Sequence, residues 1–403
     1  MIGRRPGVGE AGPAVRPEDE EEGRATVNDA WIADRMGKIE ASGIRKAFEM
    51  ARQMTDPINL SIGLPDFDVP DPIKEAACEA IRAGKNAYTV TMGDPTLRGE
   101  LQRLVDHSFG HDDRQVIVTS GTAGGLLLAI CCSVNPGDEV IVLDPYFVMY
   151  PNLVALAGGT TVLVETYPDF GIPTAKIEAA ITPRTKAILV NSPGNPTGVV
   201  APAAELMALA ALCRERGILL ISDEVYKAFC YDEPFRSPAE FNEDVLVVDG
   251  FSKTYGMTGW RLGFAHGPSR LIQEMAKLQQ FSFVCAPSPL QAGVVGATGL
   301  DLSGQIDAYR RKRDRVAEVL SGLYDLPRPT GAFYAFPKVP ERWPSASAFV
   351  EEAIRHNLLI IPGNVFSKRD THVRLSYAVD DATLERGLGV LRSMAKAGGP
   401  APR

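Results

Sequence analysis

At 403 residues the chain is long enough for a large core and more than one domain. Its 45% apolar and 23% charged content is ordinary for a globular protein, and its net charge of -8 excludes the basic surface that nucleic-acid binding requires. No apolar run reaches the roughly 18 residues of a membrane span, so no membrane partner is expected.

Residues 1–28, rich in Pro, Gly and charge, have little to bury and are expected to form a disordered extension. They lack a signal-peptide apolar core, and their acidic run is unlike an organelle transit peptide. "GVGEAG", Gly7 to Gly12, matches the dinucleotide fingerprint G-x-G-x-x-G in form only. No strand precedes it and no apolar helix follows, and both are needed to seat a phosphate on a helix N-terminus. The six cysteines form no C-x-x-C pair and most lie in apolar runs, which points to buried, reduced thiols and a cytoplasmic protein. The five histidines are scattered without metal-ligand spacing, so no metal is expected.

The pattern becomes globular near Asn28. "DPIKEAACEAIRAG" predicts a helix capped by Asp71, with Pro72 at its first position and Gly84 at its stop. "RQVIVTSGTAGGLLLAICCSV" predicts a short strand, a small-residue turn and a buried helix. "DEVIVLDP", "TTVLVE", "TKAILVNSP", "GILLISDE" and "DVLVVDGFS" follow, each a short run of Val, Ile and Leu. Helical patterns such as "AAELMALAALCRERG" lie between several of them. This alternation predicts an α/β fold with a central, mostly parallel sheet covered by helices. A long helical pattern, "GQIDAYRRKRDRVAEVLSGL", a turn-rich "DLPRPTGAFYAFPKV", another helix and "HVRLSYA" predict a smaller α+β domain. The expected division is 59–327 for the large domain, with 29–58 and 328–403 in the small one.

In open α/β sheets, ligands bind beyond the C-terminal ends of the strands, so the chemistry is read there. "VIVT" delivers Ser120, Gly121, Thr122 and Ala123 to a helix start, whose free N–H groups suit an anion. "VIVL" delivers Phe147 in "DPYFVMY", and "AILV" delivers the amide-bearing "NSPGNPTG". "LLIS" delivers Asp223, a costly place for a carboxylate without a partner, with Tyr226 three residues on. "VLVV" delivers Ser252 and Lys253, and Arg261 follows Lys253 by eight positions. A phosphate cradle, an aromatic face, an amide, a buried acid, a phenol and a lysine together match the needs of pyridoxal 5'-phosphate.

The sequence resembles the fold-type-I pyridoxal-phosphate-dependent aminotransferases of class I/II, aspartate-aminotransferase-like branch, over about Ile44 to Tyr377. The resemblance is carried, in the family's order, by "LSIGLPDFDVP", "NAYTVTMGDPTLRGEL", "VTSGTAGGL", "GDEVIVLDPYFVMYPNLVALAGG", "NSPGNPTG", "SDEVYKAF", "SKTYGMTGWRLGF" and "HVRLSYA". It implies that Lys253 carries the cofactor and moves the substrate's α-proton. It implies phosphate contacts from Gly121, Thr122, Ala123, Ser252 and Arg261, and a ring face against Phe147. Asn195 and Tyr226 are similar to the pair that bonds the phenolic oxygen, and Asp223 to the partner of the ring nitrogen. Gly63, Asn195 and Arg374 resemble the substrate-binding set, with Arg374 as clamp for the α-carboxylate. Tyr88 resembles a tyrosine that reaches the phosphate of a neighbouring subunit, which implies a homodimer with shared active sites. The implied reaction moves the amino group of an L-amino acid to a 2-oxo acid. The alternative is a C–S or β-lyase, or a synthase, on the same scaffold, since fold and cofactor do not fix which bond breaks. The second arginine used by dicarboxylate specialists has no evident counterpart. Arg45 and Lys46 lie in the segment that closes over the site in relatives.

Overall fold

The computed structural model describes residues 31–40, 43, 52 and 54–396. The expected N-terminal extension, its "GVGEAG", and Arg45 and Lys46 lie outside the described residues. In chain order the strands are β1 Ile58–Asn59, β2 Arg114–Thr119, β3 Glu139–Asp144, β4 Thr160–Glu165, β5 Thr185–Asn191, β6 Leu219–Asp223, β7 Leu246–Gly250, β8 Gly263–Pro268, β9 Tyr334–Ala335, β10 Leu358–Leu359, β11 Ile361–Pro362 and β12 Val373–Ser376.

The large sheet has the order β2-β8-β7-β6-β5-β3-β4. Its neighbours pair in parallel except around β8, which runs against both β2 and β7. Side chains alternate across it, as the period of an extended strand demands. Leu189, Ile221 and Val248 pack on one face with Leu126, Ala129 and Ile130 of the helix Gly121–Ser133. Ile188, Val190, Leu220 and Val247 pack on the other with Leu206, Leu209 and Cys213 of the helix Ala203–Arg216. The strands therefore read as unbroken apolar runs because both faces are covered. Gly125 sets the depth of one helix: a Cβ there would sit 2.7 Å from Val248 Cγ1.

A second core gathers Ile58 and Leu60 with Tyr309 and Val316 of the helix Ser303–Leu320 and Leu384 and Leu388 of the helix Asp381–Lys396. Here β11, β12 and β9 form an antiparallel sheet, and β1 pairs in parallel with β10.

Two local expectations need correction. The helix near Asp71 runs Asp71–Arg82, so Asp71 is its first residue and Pro70 holds the cap position. The Asp71 carboxylate pairs instead with Lys74 at 2.8 Å. All six cysteines are free, but only Cys213 is fully buried and Cys78 is exposed. Cys78 falls off the inward stripe that Ile73, Ala77 and Ala80 form on its helix. No helix among the described residues is long and apolar enough to cross a membrane.

Candidate active site

A cavity of about 600 Å³ opens where β5, β6 and β7 end. Gly63, Thr122, Ala123, Phe147, Asn195, Asp223, Tyr226, Ser252, Lys253, Arg261 and Arg374 all line it. Gly121 stands behind them at the helix start. Tyr88 is not among them: it is 80% exposed and lines an adjoining groove of about 740 Å³ that shares Ala123 and Arg261 with the cavity.

The reversed strand β8 explains part of this convergence. Thr119 and Gly250, at the exits of β2 and β7, both pair with Gly263 at the entry of β8. The chain leaves β7, makes the one-turn helix Phe251–Thr254, and returns to the same edge with Arg261 two residues before β8. Lys253 and Arg261 thus face one cavity.

Lys253 Nζ donates to the Gly63 carbonyl at 2.7 Å. Burial, with repulsion from Arg374 and Arg261, lowers its pKa to about 8 against an opposing pull from Asp223. A lysine of this kind is a reactive amine near neutral pH. Asp223, the last residue of β6, is 3% exposed. Its Oδ2 accepts from Tyr150 Oη at 2.7 Å and its Oδ1 from the Val225 N–H at 3.3 Å. Burial pushes its carboxyl up to about 6 in spite of these bonds. Tyr226 Oη lies 2.9 Å from Tyr334 Oη, and Asn195 Nδ2 approaches Tyr226 Oη at 3.5 Å. Burial holds the Tyr226 phenol protonated, well above its ordinary range.

The start of the helix Gly121–Ser133 is open. The Ser120 side chain does not cap it, and Thr122 Oγ1 is buried without a hydrogen-bond partner. Gly121 has φ 70, and a Cβ on it would sit 2.5 Å from Arg261 Nη2. Arg261 is itself left-handed, with φ 56, and Nη1 donates to the Thr258 carbonyl at 2.9 Å. Free N–H groups, an orphan hydroxyl and a guanidinium around one point form an anion cradle.

Arg374 lies on β12 and is 1% exposed. Nη2 donates to the Ser61 carbonyl at 2.6 Å and Nη1 to Asn195 Oδ1 at 3.1 Å, while Nε is buried without a partner. Its guanidinium carbon lies 4.8 Å from the centre of the Tyr334 ring and 4.7 Å from that of Phe366. No carboxylate among the described residues pairs with it, so the cavity holds a buried cation that lacks an anion. A Cβ at Gly63 would meet Tyr334 Oη at 2.4 Å, so only glycine lets this backbone pass the ring.

Two residues of the site are not legible as such in the sequence. Tyr150 falls in "DPYFVMY", where an aromatic reads as core, and its one signal is its place one helical turn after Phe147. Tyr334 falls in the turn-rich "GAFYAF", far from any large-sheet strand.

These residues fit pyridoxal phosphate on their own terms: an orphan hydroxyl at an open helix start for phosphate, a buried carboxyl for a ring N–H, and a desolvated amine for an aldehyde.

Comparison with known proteins identifies the family. The family model "Aminotransferase class I and II" matches residues 55–391. The chain is 39% identical over 355 residues to the aspartate/prephenate aminotransferase of Thermus thermophilus, covering 85% of this chain and 92% of that one. It is 33% identical over 383 residues to the aromatic-amino-acid aminotransferase 2 of Thermococcus litoralis, covering 91% and 98%. The solved structure of the Thermus thermophilus aspartate aminotransferase with maleate superposes with TM-score 0.86 at 36% identity, covering 90% of this chain and 99% of that one. The chain belongs to the aminotransferase class I and II family, and it is an enzyme of fold type I that transfers amino groups.

Proposed function

We propose that the enzyme carries pyridoxal 5'-phosphate on Lys253 and moves the amino group of an L-amino acid to a 2-oxo acid. When bound, the cofactor supplies an aldehyde that condenses with amines and a ring that draws electrons from the α-carbon. The observation that carries this reading is a lysine with a pKa lowered to about 8, in one cavity with a buried Asp223.

The helix N–H groups at Gly121, Thr122 and Ala123 would hold the phosphate with Thr122 Oγ1, Ser252 and Arg261. Asp223 would keep the ring nitrogen protonated, and Tyr150 orients its carboxylate. Tyr226 Oη and Asn195 Nδ2 would donate to the phenolic oxygen. Phe147 offers an apolar ring face without a polar handle. Arg374, assisted by the Gly63 backbone, would take the substrate α-carboxylate in a two-bond fork. That hold aims the α-proton at Lys253 Nζ, which removes it and returns it.

Tyr88 would complete the phosphate site of a second copy of the chain, since it is exposed beside its own cradle. The pairing of β1 with β10 supports placing residues before about 58 with those after about 327 in one small domain. Transfer is favoured over the lyase alternative because the related proteins are named as aminotransferases of aspartate, prephenate or aromatic amino acids.

Borohydride reduction of the yellow holoenzyme should bleach it and fix the cofactor to the peptide containing Lys253, seen by mass spectrometry. A label on any other lysine, or wild-type turnover by Lys253→Ala, would sink the assignment.

A further inference from the structure

Among the described residues, three cations line the cavity: Lys253, Arg261 and Arg374. The reading above engages all three, with cofactor aldehyde, phosphate and α-carboxylate. We propose, resting on that reading, that the site selects amino acids with an uncharged, apolar side chain and turns aspartate and glutamate away.

The unassigned lining supports this. Ile39, Leu64, Val148 and Met149 present apolar groups. Each amide nearby already makes one donor and one acceptor bond within the fold. Asn191 donates to the Asp223 carbonyl at 2.9 Å and accepts from the Asn195 N–H at 2.8 Å. Asn152 donates to the Val148 carbonyl at 2.8 Å and accepts from the Glu40 N–H at 3.1 Å. That last bond also anchors the segment bearing Ile39 and Glu40 to the cavity. Glu40 is exposed at the rim, and besides Asp223 it is the one carboxylate among the described lining residues. A substrate carrying a second carboxylate would lose its hydration beside apolar groups, with no unassigned cation among the described lining residues to offset its charge, and would pass an acid on entry.

The test uses the loaded holoenzyme. Spectra of the half-reaction are followed with leucine, methionine and phenylalanine, and with aspartate and glutamate. The best apolar amino acid should exceed both acidic ones in kcat/KM by roughly 10²-fold or more. Calorimetry gives a readout that does not depend on turnover: 4-methylvalerate, with one carboxylate, should bind about tenfold or more tighter than succinate, with two. Glu40→Gln should raise the aspartate-to-leucine ratio about two- to fivefold at low salt and less at high salt, as expected for a rim charge. Aspartate or glutamate within tenfold of the best apolar amino acid, or equal binding of the two analogues, overturns the proposal. An unchanged ratio in Glu40→Gln overturns the role given to that residue. If 4-methylvalerate binds with the stated preference but no amino acid is converted, the apolar selectivity stands and the transfer reading fails.

Discussion

Two arginines of the molecule are equally buried and differently satisfied. Arg313, in the helix Ser303–Leu320, is 1% exposed and meets acids on two sides. Its Nη1 and Nη2 each donate to Asp232 at 2.9 Å, its Nε donates to Asp314 at 2.7 Å, and Nη1 also reaches the Pro329 carbonyl. These partners keep its guanidinium above the usual range in spite of burial. Arg374 has two neutral acceptors, an orphan Nε and no acid, and burial lowers its pKa. A scaffold charge carries its counter-ion within the fold. Arg374 is left without one, and the α-carboxylate of the proposed substrate would supply it.

The largest effect that sharpens this contrast concerns Asp223, the site's buried acid. Asp223→Asn removes the charge that would hold the ring proton, and kcat should fall roughly 10²-fold or more, the scale of a placed charge in a dry site. The cofactor-free variant should be no less stable than wild type at pH 7. Because its folded pKa is raised to about 6 from 3.8, the carboxylate costs stability above about pH 6 and not below 3.8. Unchanged kcat in Asp223→Asn would place the management of the ring nitrogen elsewhere.

Exchanging the two arginines tests the contrast directly. Arg374→Lys keeps the charge and loses the fork, so kcat/KM should fall about 10- to 100-fold for every amino acid, with little change in melting temperature. Arg313→Met should do the reverse. It strands the Pro329 carbonyl and loses the fork to a half-exposed Asp232, a loss of about 1–3 kcal/mol in stability with kcat retained. The contrast breaks if Arg374→Lys mainly unfolds the protein, or if Arg313→Met mainly slows it.

The smallest effect concerns Lys253. Its folded pKa is lowered from 10.5 to about 8, so below pH 8 the cofactor-free fold holds an ammonium that burial disfavours. That cost fades between pH 8 and 10.5, where the folded lysine is neutral and the unfolded one still charged. Cofactor-free Lys253→Met should therefore melt about 1–3 °C above wild type at pH 7 and converge with it near pH 10.5. An equal gain at both pH values would trace the effect to packing instead.

Much of this architecture is legible in the amino-acid sequence. Strands covered on both faces must be apolar along their length, so β2 to β7 stand out as short runs of Val, Ile and Leu. The residues just after them line the candidate site. The strand β8 is hidden, because Gly263, Gly267, His266 and Pro268 dilute its apolar signal and nothing in a sequence marks a reversed direction. Arg374 can be named from its motif but not understood, since the absence of an acid around it is a property of the assembled cavity. Tyr150 and Tyr334 are hidden for a related reason: only packing shows that their hydroxyls point at Asp223 and Tyr226.

The reversal of β8 has a consequence for tolerance. Seven residues, 254–260, separate Lys253 from Arg261. Most of the other site residues are spread over the ends of different strands, and errors between strands add across the sheet. These two are set by a single short tether, seated where Gly263 pairs with both Thr119 and Gly250. The spacing of the Lys253 amine and the Arg261 guanidinium is therefore gauged locally, like two pins on one clip. Loop insertions elsewhere around the cavity can alter what it accepts while that gauge keeps its calibration.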